Sequence, residues 1–434
     1  MKRVLIITYY WPPSGGSGVQ RWLKMSKYLP ENGWQPVIYT AENAEYPVED
    51  PSLEKDVCPE AEVIRRPIVE PYNFYKKFLG IKKEQKVKSG FIDETGKQQG
   101  WKERLSVWIR GNFFIPDARC WWVKPSVRFL KQYLKEHPVD AIISTGPPHS
   151  MHLIAVKLKE SLGLPWIADF RDPWTEIDYY NDLHLTKWAD RKHHRLEHEV
   201  LTQADKVVTV STNWALRLNR LGSKDAFAIY NGFDLNDHRH QVPEMPQKFT
   251  LTYLGVLSKP QTPDNLWEAL GELISEDKEF SEYFNLKMIG QIDNSATRSI
   301  LENGLSKHVS FESYIPHDQV ELVQRSSTLL LLLLMPDSEI RAKGLLTGKM
   351  FEYLSSGRPI LCIGPEDGDA AKILAETKAG VTVGFDNKER MKLVIKDYFQ
   401  QYLENGLPSH ENKGIEKYSR KALAGEYAAL LDKL

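Results

Sequence analysis

Among the 434 residues, the stretch 344–361 combines residue types suited to holding an anion: a small-residue approach, a short helical pattern and a following apolar run. Thr347 and Gly348 can open a helix whose first N–H groups are free and whose end carries positive partial charge, a setting that suits phosphate. Lys349 falls in that first turn, where the helix dipole disfavours a cation unless an anion sits beside it. Glu352 follows one turn later, Gly357 stands where a C′ glycine would close the helix, and Pro359 prevents its continuation into the apolar run 360–363. The plain alternative is an amphipathic helix docked by Met350, Phe351 and Leu354 beside a buried strand.

A second candidate is the loop Gly15-Gly16-Ser17-Gly18, which follows the apolar run 4–8 and precedes a helical pattern through Val19, Trp22, Leu23, Met25 and Leu29. With a return strand at 36–40 this is a βαβ unit whose glycine loop lies at the carboxyl end of its first strand, where open α/β sheets place ligands. The spacing does not fit G-x-G-x-x-G, so it carries no dinucleotide fingerprint, and a tight turn is the simpler reading.

His149 sits in the loop after the strand pattern 141–145, again on the ligand side, where a neutral imidazole can hydrogen-bond a ligand hydroxyl or orient a reacting carbon; the alternative is a helix-capping histidine. Arg171 and Asp172 follow the strand pattern 166–170 in the same way, although Arg–Asp pairs are often purely structural. His193, His194 and His198 lie on a helical segment among Arg191, Lys192 and Arg195 without an H-E-x-x-H pattern, which argues against a metal site.

The elements that must position these residues alternate strand and helix, the pattern of parallel sheets with crossovers. In the first half a strand at 206–210 leads to a helix from 211, and an Asn-Gly turn within 229–234 begins the exit; 237–248, with Pro243 and Pro246, reads as a linker. The second half starts anew at 249–254, has Asp264 placed to cap a helix through Leu273, and continues with strands at 286–289 and 309–311. The run 329–334 shows no alternation, as a strand buried on both faces requires, and a further strand follows at 379–383. A terminal helix carrying Tyr418, Leu423, Tyr427, Leu430 and Leu431 is expected to cross back to the first half. Two domains are therefore expected: 1–236 completed by a helix at 415–434, and 237–414.

Residues 76–125 are the least regular portion and read as a long insertion. Within it, 101–114 and the Cys120-Trp121-Trp122 cluster mix aromatic and basic residues as interfacial segments do. Either these aromatics pack on the domain, or they form a surface that meets a lipid headgroup or a lipid-linked substrate.

A formal net charge of −1 argues against a global attraction to nucleic acid. Cys58, Cys120 and Cys362 fit neither metal-ligand nor disulfide spacing and suit a reducing compartment. The apolar start is too short for a secretory signal, and the longest apolar run, 329–335, falls far below the roughly 20 residues that span a bilayer. The expected location is cytoplasmic, with any membrane contact peripheral, at the inner face.

Taken in order, Tyr10-Trp-Pro-Pro with Gly15 to Gly18, Gly146-Pro-Pro-His149, Asp169-Phe-Arg-Asp-Pro-Trp174, Asn231-Gly-Phe-Asp234, Tyr253-Leu-Gly255, Tyr314-Ile-Pro-His317 and the Gly348 to Ile360 segment resemble one family. It is the retaining nucleotide-sugar glycosyltransferases of family 4, and the resemblance covers the chain outside the insertion. It implies an α/β protein with two Rossmann-like parallel-sheet domains facing across a cleft, the GT-B fold, with the acceptor bound by the N-terminal domain and the donor by the C-terminal one.

Carried over residue by residue, the resemblance puts Gly15, Gly18 and Arg171 toward the acceptor and Gly16 and Ser17 toward the donor phosphates. His149 would contact the donor sugar and, with Asp172, make up the catalytic pair. Glu352 matches the second glutamate of the family's E-x7-E pattern, which holds the ribose. The backbone at Leu346 and Thr347 would meet sugar and diphosphate, and Tyr314 and Ile315 would border the base. Lys259 is the candidate cation for the diphosphate, with Lys349 or Arg341 as substitutes.

Two positions depart from the family. Gly344 stands eight residues before Glu352, where the first glutamate belongs, with Glu339 as a candidate stand-in; and Val256 follows Gly255 where the family carries the first of an Arg-then-Lys pair. The implied activity is metal-independent, cofactor-free transfer of a hexosyl or related group, with retention, from a nucleoside-diphosphate sugar to a glycan or lipid-linked acceptor in surface polysaccharide assembly. Two other readings stay open: an epimerase of the same fold, and a catalytically silent glycan-binding subunit, the latter suggested by Gly344.

Overall fold

A strand such as Leu329–Leu333, apolar at every position, is stable only where both of its faces are covered, and both sheets of this chain are of that kind. The computed structural model describes residues 1–70, 101–234, 246–313, 315, 317–336, 340–406 and 413–434. It divides into two units: Met1–Asn231 with Arg420–Leu434, and Gly232–Ser419.

The first unit is built on a seven-stranded sheet in the order β3-β2-β1-β4-β5-β6-β7. Its strands are β1 (Lys2–Ile7), β2 (Trp34–Ala41), β3 (Glu62–Arg66), β4 (Ala141–Gly146), β5 (Trp166–Phe170), β6 (Lys206–Thr209) and β7 (Ala226–Ala228). The second unit carries six, in the order β10-β9-β8-β11-β12-β13: β8 (Phe249–Leu254), β9 (Phe284–Ile289), β10 (Val309–Glu312), β11 (Leu329–Leu333), β12 (Ile360–Ile363) and β13 (Gly380–Val383). The strand pairings are parallel throughout, as in the registers Val4↔Ala141 between β1 and β4 and Leu329↔Leu251 between β11 and β8. These are the parallel sheets that the alternation of strand and helix implies, and the two Rossmann-like domains that the family resemblance implies. In each sheet the order reverses at one place, between β1 and β4 and between β8 and β11, and the carboxyl ends flanking such a reversal form the ligand crevice of open α/β sheets.

Apolar side chains from both faces of the first sheet pack under its helices, and a third cluster fills the second unit. The terminal helix Arg420–Leu431 belongs to the first unit and lies against helix Ser17–Ser26, with the Trp22 and Tyr427 rings 4.9 Å apart. Below this contact is a buried polar knot. The Asp169 carboxylate, wholly excluded from solvent, accepts from Arg21, Trp22, Thr145 and Tyr427. Arg21 also donates to the carbonyl oxygens of Ile229 and Tyr230, so one guanidinium ties the first helix to β5 and to the end of the first half.

Several sequence expectations require correction. Residues 101–125, read as the least regular portion, contain helix Trp101–Phe113 and the start of helix Cys120–Glu136; 71–100 and 235–245 lie outside the described residues. Trp122, Ser126, Leu130 and Leu134 recur at helical spacing, and this stripe is what the second of these helices buries. Trp122 stacks on Tyr39 at 5.0 Å and donates to the Pro67 carbonyl. Asp264 does not cap its helix: Pro263 occupies that position and Asp264 lies in the first turn, where its charge still suits the dipole. Strands β3 and β7, which the sequence did not signal, are sheet-edge strands whose half-buried residues give no apolar run. Among the described residues no helix is long and apolar enough to cross a membrane.

Candidate functional site

In the first unit, the loops after β1 and β4 flank the sheet's reversal, and they carry the glycines and His149. Each glycine of 15–18 has its own reason. A Cβ on Gly15 would lie 3.0 Å from a Val48 methyl, Gly16 adopts φ 79° at the N-cap of helix Ser17–Ser26, and Gly18 stands inside that helix. A Cβ on Gly18 would meet Arg171 Nη1 at 2.9 Å and the Tyr10 ring at 3.0 Å. The missing side chain thus lets Arg171 lie over the glycine-rich start of a helix that no side chain caps among the described residues. The Arg171 guanidinium is also 3.1 Å from the Asp172 carboxylate, so Asp172 is engaged with its neighbour rather than held free as a base.

His149 immediately precedes helix Ser150–Leu162 but does not cap it. Asp117 does, accepting from the Ser150 N–H and hydroxyl at 2.9 Å each. The imidazole is clamped instead: it stacks on Trp174 at 4.6 Å with the planes 4° apart, and Phe170 lies 5.8 Å away. Trp174 is itself fixed, donating its indole N–H to His193 Nδ1 at 3.1 Å. Burial, reinforced by His152, His193 and Arg171, holds His149 far below the usual imidazole range, so at neutral pH it is uncharged. It can orient a hydroxyl or an oxyanion by hydrogen bonding, but it has no proton of an imidazolium to give.

The sequence reading passed over Asp169 in favour of Asp172, and the structure assigns them opposite environments. Burial alone would raise the Asp169 pKa, but the Arg21 charge and the hydrogen bonds around it hold the carboxyl below its usual range. The signal was present in the sequence: an aspartate inside the apolar strand 166–170 must have partners there.

In the second unit, the corresponding reversal lies between β8 and β11. Gly255, directly after β8, has φ 128°, and Gly290, directly after β9, has φ 116°. The two approach so closely that a Cβ on Gly290 would lie 2.3 Å from the Gly255 carbonyl oxygen. A Cβ on Gly255 would lie 2.6 Å from Lys349 Nζ, and its three nearest atoms all belong to Lys349. That amine rests over the Tyr253 ring at 4.7 Å and donates to the Tyr253 hydroxyl at 3.2 Å. Burial lowers the Lys349 pKa to about 8, against the opposing charge of Glu352.

Helix Gly348–Ser356 starts beside this lysine and closes at Gly357 with φ 71°, as the glycine spacing predicts. Thr347 holds the N-cap position without capping: its Oγ1 is buried and has no hydrogen-bond partner among the described residues. A Cβ on Gly348 would meet nothing within 4 Å, so the helix start is open. Glu352 accepts a long 3.4 Å contact from the buried Gln324. Leu346 and Gly344 are buried on the approach.

Lys259 is exposed, on the short 3-10 turn Lys259–Gln261, and its charge acts on Asp293, whose carboxyl is held down mainly by Ser295. The structure therefore brings Lys349, not Lys259, to the glycine at the end of β8. Ile315 is half-buried; Tyr314, Pro316 and Glu339, and the side chain of Arg341, lie outside the described residues. Among the described residues no group of His, Cys, Asp or Glu is arranged to hold a metal ion.

Residues 92–237 match the family model described as Glycosyltransferase Family 4, a span that includes His149, Asp169, Arg171 and Trp174. No curated protein matches the chain. Among solved structures, a glycosyltransferase from Rickettsia africae superposes with a TM-score of 0.63 at 12% identity, over 100% of this chain and 98% of that one. HepE from Anabaena, in complex with UDP, gives 0.61 at 13% identity over 100% of both chains. A variant of S. aureus TarM in complex with fondaparinux, alpha-GlcNAc-glycerol and UDP gives 0.59 at 11% identity, again over 100% of both. At such identities the likeness is one of fold, the two-domain GT-B architecture.

Proposed function

We propose, from the premise that this chain is a family 4 glycosyltransferase of the GT-B type, that it moves a sugar with retention from a nucleoside-diphosphate sugar to a hydroxyl of a glycan or lipid-linked acceptor. The observation that carries this reading is the meeting of Lys349, Gly255 and the uncapped start of helix Gly348–Ser356 at the β8/β11 reversal. A leaving diphosphate develops negative charge in the transition state, and a cation beside unpaired N–H groups is the arrangement that stabilises it. In this reading the leaving group needs no metal.

Glu352 then holds the ribose, one turn along the same helix, Leu346 and Thr347 offer backbone groups to the sugar and diphosphate, and Ile315 lies by the base. Gly16 and Ser17 belong to the same reading as donor-phosphate contacts, with Gly15 and Gly18 on the acceptor side. His149 serves a sugar hydroxyl as an uncharged hydrogen-bonding group. Asp172 orients Arg171 for the acceptor. In this reading the transfer is a same-face displacement in which the departing phosphate oxygen takes the acceptor proton.

The test is incubation with a panel of nucleotide sugars, uridine donors first because the HepE and TarM structures contain UDP, following release of the nucleoside diphosphate and the anomeric configuration of the product. Release with retention, unaffected by a chelator, is expected. Interconversion of two donors without transfer would favour the epimerase, and binding of glycan without turnover the silent subunit. Loss of turnover on chelation would overturn the metal-free part.

A second proposal concerns location. Trp101, Phe113, Trp121 and Trp188 are exposed, Trp188 with Lys192 Nζ 5.0 Å from its ring, and aromatic side chains beside cations suit a bilayer interface. We read this as peripheral docking at the inner membrane face, where lipid-linked acceptors for surface polysaccharide are found. Flotation with anionic vesicles should carry the protein upward, and replacing Trp101 and Trp121 by Ser should abolish it; a wild-type protein that stays at the bottom refutes docking.

A further inference from the structure

One turn beyond His149 the same helix carries a second imidazole, His152, which is wholly buried and stacks on Phe170 at 4.5 Å. Its Nδ1 lies 2.8 Å from Ser144 Oγ, and that oxygen already receives the Trp166 indole N–H at 2.9 Å. Burial lowers the His152 pKa to about 3, so the ring is neutral and carries a single proton. With the indole donating into Ser144, the serine hydroxyl is free to donate to Nδ1, and the imidazole proton then resides on Nε2.

That Nε2 has no hydrogen-bond partner among the described residues, and neither has Nδ1 of His149. Both open toward one point. The position that a Cβ would take on Gly146 is 2.6 Å from His152 Nε2 and 2.8 Å from His149 Nδ1. Gly146 ends β4 and is not among the residues of positive φ, so a side chain is excluded there by the two imidazoles and not by the backbone. Two buried polar atoms facing one small space, with no direct bond between them, are the setting in which one bridging water satisfies both.

We propose that His152 is a positioning residue for His149: its Nε2–H donates to one bridging water beside Gly146, and that water donates to His149 Nδ1. This fixes His149 as the tautomer with its proton on Nε2. His149 then meets its ligand as a hydrogen-bond donor, suited to a hydroxyl or phosphate oxygen and unable to act as a base through that nitrogen. The chain Trp166, Ser144, His152, His149 is a relay of orientation, in which no bond to hydrogen is broken. Its relevance to turnover rests on the transferase reading given above; the tautomer itself does not.

The experiment is long-range proton–nitrogen NMR on protein labelled with nitrogen-15 at histidine, at pH 7, with the His149 signal assigned by its loss in His149→Gln. Both His149 and His152 should show protonated Nε2 and unprotonated Nδ1. In His152→Phe, which keeps a ring of similar shape, His149 should become a tautomer mixture. Turnover should fall about tenfold with little change in KM, as for other groups that orient a ligating histidine. Ser144→Ala and Gly146→Ala give two further routes: the first should free the His152 tautomer, and the second should drive a methyl into the shared space and displace His149. A wild-type His149 protonated on Nδ1 overturns the proposal, as does a His149 spectrum unchanged in a folded His152→Phe or, should that variant not fold, in Gly146→Ala. If no nucleotide sugar is turned over, the transferase reading fails while the tautomer result still stands or falls by itself.

Discussion

The amino group of Lys349 rests over the Tyr253 ring, 3.2 Å from its hydroxyl, and only the absence of a side chain on Gly255 leaves room for it. Tyr253 in turn donates to the Val256 carbonyl at 2.6 Å, so the lysine lies on a fixed aromatic floor. A cation in the first turn of a helix and largely removed from water, with the Glu352 charge only partly offsetting its burial, is unfavourable in the free protein and becomes more favourable once an anion arrives.

Lys349 therefore sets a pH dependence. Its folded pKa of about 8 lies below the 10.5 of an ordinary lysine, so between those values the unfolded chain binds more protons than the folded one. The ligand-free protein should gain stability as pH rises through that window, while nucleoside-diphosphate affinity falls above about pH 8 as the cation is lost. Calorimetric titration with UDP at pH 7 and pH 9 checks the second half; Lys349→Gln should bind at least tenfold more weakly at pH 7 and lose the pH dependence.

Glu352→Ala should separate ribose from phosphate recognition. Losing a hydrogen-bonded carboxylate weakens nucleotide binding by about 1.5–3 kcal/mol, whereas pyrophosphate, which has no ribose, should bind as before. Equal loss for both ligands, or for neither, would move the nucleotide away from helix Gly348–Ser356.

The two aspartates of the 169–174 segment should behave oppositely. Asp169→Asn leaves the buried Arg21 without its counter-charge and should cost about 3–5 kcal/mol of stability in urea unfolding. Because the Asp169 pKa is lowered in the folded state, its contribution is present above the unfolded value of 3.8 and is lost as pH falls through the folded value. Asp172→Asn, at the more exposed Arg171 pair, should change stability by less than about 0.5 kcal/mol and act instead on the KM for acceptor.

Glycine replacements should distinguish space from backbone. Gly18→Ala has an unstrained helical backbone, so any gain in helix propensity, at most about 1 kcal/mol, is set against the methyl pressing on the Tyr10 ring; melting should change little while the displaced Arg171 weakens acceptor use. Gly255→Ala meets both a φ of 128° and the Lys349 amine, and should lower stability by about 1–3 kcal/mol together with donor binding. A Gly255→Ala protein with normal donor affinity would argue that Lys349 does not touch the diphosphate.

Local chemistry along the chain determined a great deal. Apolar runs without alternation become parallel strands, glycines and prolines punctuate them, and Thr347-Gly348 opens a helix that Gly357 closes, because each depends on residues within one or two turns. The same reasoning could read the glycine loop and the imidazole after β4 as lying at carboxyl ends of strands. Edge strands β3 and β7 and the helices within 101–136 escaped it, since partial burial leaves no strong period and aromatic residues disguise a helical stripe.

Tertiary structure alone decided which polar residue does what. Lys349 and Lys259 are both lysines beside a loop, and only the fold buries the first against Gly255 and leaves the second in solvent. Asp169 and Asp172 lie three positions apart, yet one is locked by groups from the first and last helices and the other pairs with its neighbour. His149 is uncharged because it is buried where Trp174 and Phe170, brought from the β5 end of the sheet, pack on it. Hydrogen-bond partners and dielectric are set by residues far apart in the chain, and the spacing of residue types along the chain carries neither.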